Sequence, residues 1–278
     1  MIITKASGER NEFSEQKLRS SLSRSGASHE VIDEVVAQIQ SKLYEGIPTS
    51  EIYHMAFRFL KQYKKGPAAK YKLKNAIMEL GPTGFPFEQF IARVFQEMGY
   101  ETITGQLFGG KCVQHEVDVV ATQGNERLLI ECKFHLQAGI NCDVKIPLYI
   151  DARFKDIEQG KQAKEKPFVF KGWVVTNTHF SKDAVAYGLC SGLNLLGWDF
   201  PAKKGLRDIV DQYALHPLTC LTSITRQEKQ ALLAEGIVLC SELTGREDLL
   251  EKKIAPKRQE QVKAECAHLS SLKRIYQK

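Results

Sequence analysis

Along the chain, the spacing of apolar residues changes character twice, and the changes divide the sequence into three regions. The first runs from Met1 to about Leu80 and opens on a short strand-like stretch. Ser14 ahead of Glu15-Gln16-Lys17 reads as a helix start, a hydroxyl cap followed by acidic and amide groups in the first turn. Leu18 and Leu22, then Val31, Val35, Val36 and Ile39, recur at the spacing of helices with one buried face. Pro48-Thr49-Ser50-Glu51 opens another helix with Ile52, Met55, Phe59 and Leu60 on its apolar side. Gly66-Pro67 breaks the pattern, and a last helix is expected from about Ala68 to Leu80. The region is therefore a small helical domain with a strand or hairpin at its start.

Gly81-Pro82-Thr83-Gly84 is a turn-rich joint. Beyond it, Phe87, Phe90, Ile91, Val94, Phe95 and Met98 form a strongly apolar helix that ends at Gly99. Val117 to Ala121 and Leu128 to Cys132 read as strands joined by Thr122-Gln123-Gly124-Asn125-Glu126. Val144 to Gln162 is helical, Phe168 to Thr176 a third strand, Asp183 to Leu189 a helix, and Asn194 to Trp198 a fourth strand stopped by Pro201. Strands alternating with helices predict an α/β or α+β core around a mixed sheet. From about Lys203, helical spacing returns at Leu206, Ile209, Val210 and Tyr213, then at Leu232, Leu233 and Leu239. Pro217 to Thr225 and then Glu228 to Leu239 look like a helical unit with a turn at Gly236, closer to a plain cap than to a DNA-holding helical hairpin. The expected domains are residues 1–82, 83–202 and 203–278.

Composition narrows the setting. The chain has 278 residues, long enough for two or three domains, and a formal net charge of +6, which makes an anionic partner plausible. Its seven cysteines are dispersed, with no Cys-x-x-Cys pair, so neither a disulfide framework nor a zinc knuckle is expected. Met1-Ile2-Ile3-Thr4-Lys5 leads straight into polar sequence, and no run approaches the roughly 20 apolar residues of a membrane span. The expectation is a cytoplasmic protein with reduced thiols and no membrane partner.

The chemistry is concentrated in His115-Glu116-Val117-Asp118-Val119-Val120 and, across the hairpin, Glu131-Cys132-Lys133. Side chains alternate along a strand, so Glu131 and Lys133 share one face while Cys132 points the other way. If the Asp118 strand pairs through the hairpin, two carboxylates and an ammonium converge. Hard oxygen ligands of this kind suit Mg²⁺ (or Mn²⁺), which keeps several waters and takes only one or two protein carboxylates. Asp118 and Glu131 are the expected metal ligands, with the Cys132 carbonyl as a third. Lys133 is placed to orient or deprotonate an attacking water and to stabilise charge on a phosphate. His115 and His135 bracket the site and Glu116 is a spare carboxylate; these three stay outside the assignment.

Asp118 followed by Glu131-x-Lys133 resembles the Asp…(Asp/Glu)-x-Lys core of restriction endonucleases, archaeal Holliday-junction resolvases and Mrr-type enzymes. Phe87-Glu88-Gln89-Phe90 through Gly99-Tyr100 is similar to the opening helix of Mrr-like domains. Trp173-Val174-Val175-Thr176-Asn177, with Phe180 and Ala184, is similar to their later strand, turn and helix. The resemblance implies a metal-dependent deoxyribonuclease core over roughly Phe85 to Pro201, with DNA as partner and Glu88 as a secondary catalytic residue near the metal.

The first 80 residues resemble the ATP-cone, a regulatory nucleotide-binding module. The match rests on Thr4-Lys5-Ala6-Ser7-Gly8, Glu12-Phe13-Ser14, Lys17-Leu18, Gly46-Ile47-Pro48-Thr49-Ser50-Glu51-Ile52-Tyr53 and Tyr71-x-Leu73-x-x-Ala76-Ile77. It implies an ATP or dATP effector contacted by Lys5, Lys17 and Thr49. The family carries Lys-Arg where this chain has Lys5-Ala6, which removes one bidentate phosphate contact. Arg58 to Lys74 holds seven basic residues and no acid, a face suited to nucleotide phosphates or a DNA backbone, or simply to water. The basic tail from Glu251 adds nonspecific attraction for phosphate.

Taken together these features predict an Mg²⁺-dependent DNA endonuclease under nucleotide control, with a homodimer left open. The alternative is a catalytically inactive, nucleotide-responsive DNA-binding or regulatory protein. A transcriptional regulator led by the ATP-cone ranks last, because that class carries a zinc ribbon and the paired cysteines are missing here.

Overall fold

A computed structural model describes residues 1–5, 7–63, 65–137, 139–160 and 168–271. The chain divides into two compact units. One joins Met1–Ala76 to His216–Lys278; the other, Ile77–Leu215, is inserted between them in sequence.

In the first unit, β1 (Ile2–Thr4) pairs antiparallel with β2 (Arg10–Glu12) and parallel with β3 (Ile47–Pro48). Around this small sheet stand α1 (Glu15–Arg24), α2 (His29–Gln40), α3 (Thr49–Tyr63) and α4 (Lys65–Tyr71), followed by α5 (Leu73–Met78). Ser14 caps α1 as expected, its hydroxyl accepting from the Lys17 N–H at 3.3 Å. Of the apolar positions set by the spacing, Leu18, Leu22, Val35, Val36, Ile39, Ile52, Met55, Phe59 and Leu60 are buried in the core, and Val31 packs against it partly buried. The helix expected from Ala68 to Leu80 is interrupted by a turn at Lys72.

The returning C-terminal segment contributes a 3₁₀ turn at Leu218–Cys220 and the helices α10 (Arg226–Ala234), α11 (Glu247–Lys253) and α12 (Pro256–Ser271), numbered after the α9 (Leu206–Tyr213) of the other unit, with a second 3₁₀ turn (Cys240–Leu243) between α10 and α11. Thr219 Oγ1 donates to the Ala76 carbonyl at 2.5 Å, and the ammonium groups of Lys72 and Lys229 converge on the Thr219 carbonyl at 3.1 and 2.8 Å. The buried Glu265 carboxylate of α12 accepts from the Thr222 and Ser223 main-chain N–H groups and from both hydroxyls, so its charge is fully hydrogen-bonded. The basic residues Lys273, Arg274 and Lys278 lie outside the described residues.

The second unit is a five-stranded mixed sheet between helices. In chain order it comprises α6 (Phe85–Glu97), β4 (Glu101–Gly109), β5 (Gln114–Gln123), β6 (Glu126–Lys133), β7 (Asn141–Cys142), α7 (Lys145–Gln159), β8 (Val169–Thr176), β9 (His179–Phe180), α8 (Lys182–Cys190), β10 (Asn194–Leu196) and α9 (Leu206–Tyr213). The sheet order is β10-β8-β6-β5-β4, parallel on the β10, β8, β6 side and antiparallel across β6, β5, β4; β7 and β9 form a separate two-stranded pair.

Strand parity decides which helix covers which face. Val120, Leu129 and Val174 pack with Ile150, Phe154 and Ile157 of α7 and with Val185 of α8. Trp173, one residue out of phase, meets Phe95 of α6 edge-on with ring centroids 5.3 Å apart. Gly172 lies on the α7 side, where a Cβ would stand 2.7 Å from Phe154; its missing side chain lets α7 sit close to β8. The apolar pattern gives no sign of strand β4. Among the described residues no helix is long and apolar enough to cross a membrane.

Candidate active site

The β5–β6 hairpin turns through Gly124-Asn125, with Gln123 opposite Glu126 and Gly124 at a positive φ of 59°. Glycine at the first central position is what a two-residue hairpin of the II′ kind requires. From this turn the ladder runs through Val120↔Leu129 to Val119↔Ile130 and ends there. Asp118 and Glu131 are the next residues on each strand, at the fork where the strands part. Asp118 shares the face of Val120, and Glu131 shares that of Leu129, so both carboxylates lie on the α7 side.

The fork is bridged by side chains. Asp118 Oδ2 accepts from the Cys132 N–H at 2.7 Å. Because N–H and C=O of one strand residue point to the same side, the Cys132 carbonyl also faces β5. Arg153 of α7 donates from Nη1 to Glu131 Oε2 at 2.8 Å and from Nη2 to the Glu116 carbonyl. Lys133, on the face of Glu131 and opposite Thr176 of β8, makes no side-chain hydrogen bond or ion pair among the described residues.

These acids disturb one another. Burial, then the charge on Asp118, raises the Glu131 carboxyl to about 7, against the pull of Arg153. Glu88 of α6, half-buried, is also pushed up to about 7, by burial and then by Asp118 and Glu116. Burial raises Asp118 too, opposed by the Cys132 N–H and by the positive charges of Arg153 and Lys133. The Cys132 thiol, on the opposite face, is driven well above its ordinary value by burial and then by Asp118, Glu88 and Glu131. It is an inert thiol.

The structure thus brings Asp118, Glu131, the Cys132 backbone, Lys133 and Glu88 into one electrostatic neighbourhood. Among the described residues, no group of three or more His, Cys, Asp or Glu side chains could hold a metal ion by itself. Two carboxylates and a main-chain carbonyl are a donor set for an ion that keeps most of its waters, and crowded, partly desolvated acids favour a cation between them. The residues fit Mg²⁺ or Mn²⁺ on that basis.

Of the three residues outside the assignment, His115 has a side-chain partner, whereas His135 and Glu116 are bonded through their main chain. His115 Nε2 is 2.8 Å from Asp156 Oδ2, and this contact together with the Cys112 and Val113 N–H groups lowers the Asp156 carboxyl to about 2. The His135 N–H and carbonyl are clamped by the buried Asn177 side chain, both at 2.8 Å. Glu116 supplies its carbonyl to Arg153. Arg153 and Asp156 carry functional contacts that the apolar pattern does not signal. Their signal was faint: two charges flanking the apolar stripe Ile150, Phe154, Ile157 on a helix read only for its aliphatic and aromatic face.

In the first unit, Thr4↔Pro48 is the last pair of the parallel strands, so Lys5 and Thr49 follow it side by side. Lys5 Nζ is 2.8 Å from Glu9 in an exposed ion pair. Lys17 is exposed in the first turn of α1, which starts beyond Glu12 at the other end of β1. Ala6 lies outside the described residues. The basic stretch does not form one continuous exposed face: Lys70 is buried and Lys72 bonds to Thr219. Arg58 and Lys61 stay exposed and line an open cleft of about 450 Å³ with His54, Phe57 and Gln62.

Three family models match the chain: an ATP cone domain over residues 1–78, a restriction endonuclease domain over residues 82–197, and the AF1548-like C-terminal domain over residues 216–270. An uncharacterized protein of Archaeoglobus fulgidus is 37% identical over 178 residues, which is 63% of this chain and 97% of the relative. A crystal structure described as that of protein of unknown function AF1548 is 34% identical with a TM-score of 0.57, and the match covers 68% of this chain and 99% of that one. The chain belongs to the AF1548-like family. This AF1548-like chain carries an ATP-cone domain and a restriction-endonuclease domain, and the fork between β5 and β6 lies within the latter.

Proposed function

We propose that the chain is a divalent-cation-dependent DNA endonuclease whose hydrolytic centre is Asp118, Glu131 and Lys133, and whose ATP-cone binds ATP or dATP as an effector. The observation that supports it most is the pairing of two carboxylates on one face at the parting of β5 and β6, with Asp118 held by the Cys132 N–H. Membership in a restriction-endonuclease domain family supports the same reading.

In this reading Asp118, Glu131 and the Cys132 carbonyl hold Mg²⁺ or Mn²⁺. When bound, the ion polarises a phosphodiester and lowers the pKa of a coordinated water. Lys133 donates to a non-bridging phosphate oxygen and orients the attacking water. Glu88, with a carboxyl near 7, accepts or returns a proton at neutral pH. Lys5 and Thr49, following β1 and β3 at one end of the small sheet, contact effector phosphates, and Lys17, exposed at the other end of β1, contacts the effector from that side.

The test is cleavage of duplex, branched and modified DNA with Mg²⁺ or Mn²⁺, with and without ATP or dATP. Asp118→Ala and Lys133→Ala are each expected to lower the rate by about 10² to 10⁴. DNA affinity that falls with salt, is indifferent to Lys133→Ala, and comes with no cutting under any condition would point to the regulatory alternative instead.

A further inference from the structure

The backbone ladder of β5 and β6 stops at Val119↔Ile130, one residue short of Asp118 and Glu131. Main-chain pairing therefore does not set the separation of the two acids. Two links replace it: the Cys132 N–H on Asp118, and the Arg153 guanidinium spanning Glu131 Oε2 on β6 and the Glu116 carbonyl on β5. Glu116 lies two residues from Asp118, so this second link crosses the fork at the site itself.

We infer that Arg153 is a positioning residue that fixes the distance and aim of Glu131 relative to Asp118, holding Oε2 so that Oε1 is presented to a divalent cation. The inference rests on the proposed nuclease reading. Its ground is the anchoring of the guanidinium. Side-chain exposure is 14% for Arg153 and 19% for Glu131, so the pair is shielded from water. One end of the fork-shaped donor is tied to a main-chain carbonyl, which cannot swing away as a side chain can. The centroid of the Tyr149 ring, one helical turn back, lies 5.5 Å from the guanidinium carbon, within cation–π reach. A guanidinium can serve two acceptors at fixed angles, whereas an ammonium on a flexible stem cannot hold both in one plane. Among the described residues, Oε1 of Glu131 accepts no hydrogen bond, which leaves it as the ligand atom.

The opposite arrangement, in which Arg153 occupies the cation's seat and must leave, makes the contrary prediction, so the sign of one measurement separates them. Mn²⁺ affinity is read without DNA from the spectrum of free Mn²⁺ for wild type, Arg153→Gln and Arg153→Lys. Loss of a group that orients a ligand is expected to weaken Mn²⁺ binding about 10- to 100-fold in Arg153→Gln. Arg153→Lys is expected to recover only part of it, and kcat is expected to fall at saturating Mn²⁺ with KM for DNA unchanged. Tighter Mn²⁺ binding in Arg153→Gln, or full recovery in Arg153→Lys, overturns the inference. Unchanged Mn²⁺ affinity with a raised KM would make Arg153 a DNA contact and overturn it too. If Arg153→Gln does not fold, the comparison of Arg153→Lys with wild type decides. Failure of wild type to bind Mn²⁺ at all would remove the nuclease reading itself, and the inference with it.

Discussion

At the scale of single residues, the balance between burial and charge sets what the fork can do. Glu88 and Glu131 titrate near 7 in the fold, against an ordinary value of 4.5. Between those values the folded protein binds more protons than the unfolded chain, so stability falls as the pH rises through that window. Measured without divalent ion, the melting temperature is expected to drop from pH 5 to pH 8, and Glu88→Gln or Glu131→Gln to flatten the slope. Apparent Mn²⁺ affinity should rise over the same range, because the ligand must be ionised. A melting temperature that climbs with pH would contradict this account. Asp118, Glu131 and Lys133 were legible as a set because strand parity and one hairpin bring them together from nearby in sequence. Arg153 was not, because its link to Glu131 spans 22 residues and leaves no periodic trace.

At the scale of elements, legibility followed the ratio of apolar to polar surface. Helix α6 was plain because Phe87, Phe90, Ile91, Val94 and Phe95 are all fully buried. The edge strand β4 was hidden because its pattern is inverted: Ile103 and Leu107 are exposed at 60% and 55%, while Thr102, Thr104 and Gln106 occupy the inward phase beside Phe108. Only pairing along β5 identifies it as a strand. Helix α7 ends where glycine is demanded by contact. A Cβ on Gly160 would stand 2.2 Å from the Gly109 carbonyl, and its φ of −69° carries no strain. Gly160→Ala is therefore expected to destabilise by about 1–3 kcal/mol through crowding alone, read by denaturant unfolding. A neutral result would mean that the loop after β4 yields without cost.

At the scale of the molecule, the segments Met1–Ala76 and His216–Lys278 form one compact unit while the restriction-endonuclease domain is inserted between them in sequence. Thr219 and Lys229 from one end meet Ala76 and Lys72 from the other. Removing residues from His216 onward is expected to leave the ATP-cone open to trypsin while β5 and β6 stay protected; equal resistance of both would show that the N-terminal segment stands alone. By itself, the sequence determined the class of fold, the existence of most helices and strands, and the face on which the acids stand. Each of these follows from local periodicity, a repeat of 3.6 or of 2 that neighbouring residues carry among themselves. The tertiary structure alone decided the partner of Glu131, the burial of Lys70 within a basic run, and the joining of the two termini. Those depend on contacts between residues far apart in the chain, and a single sequence has no period that records which distant surface a side chain will meet.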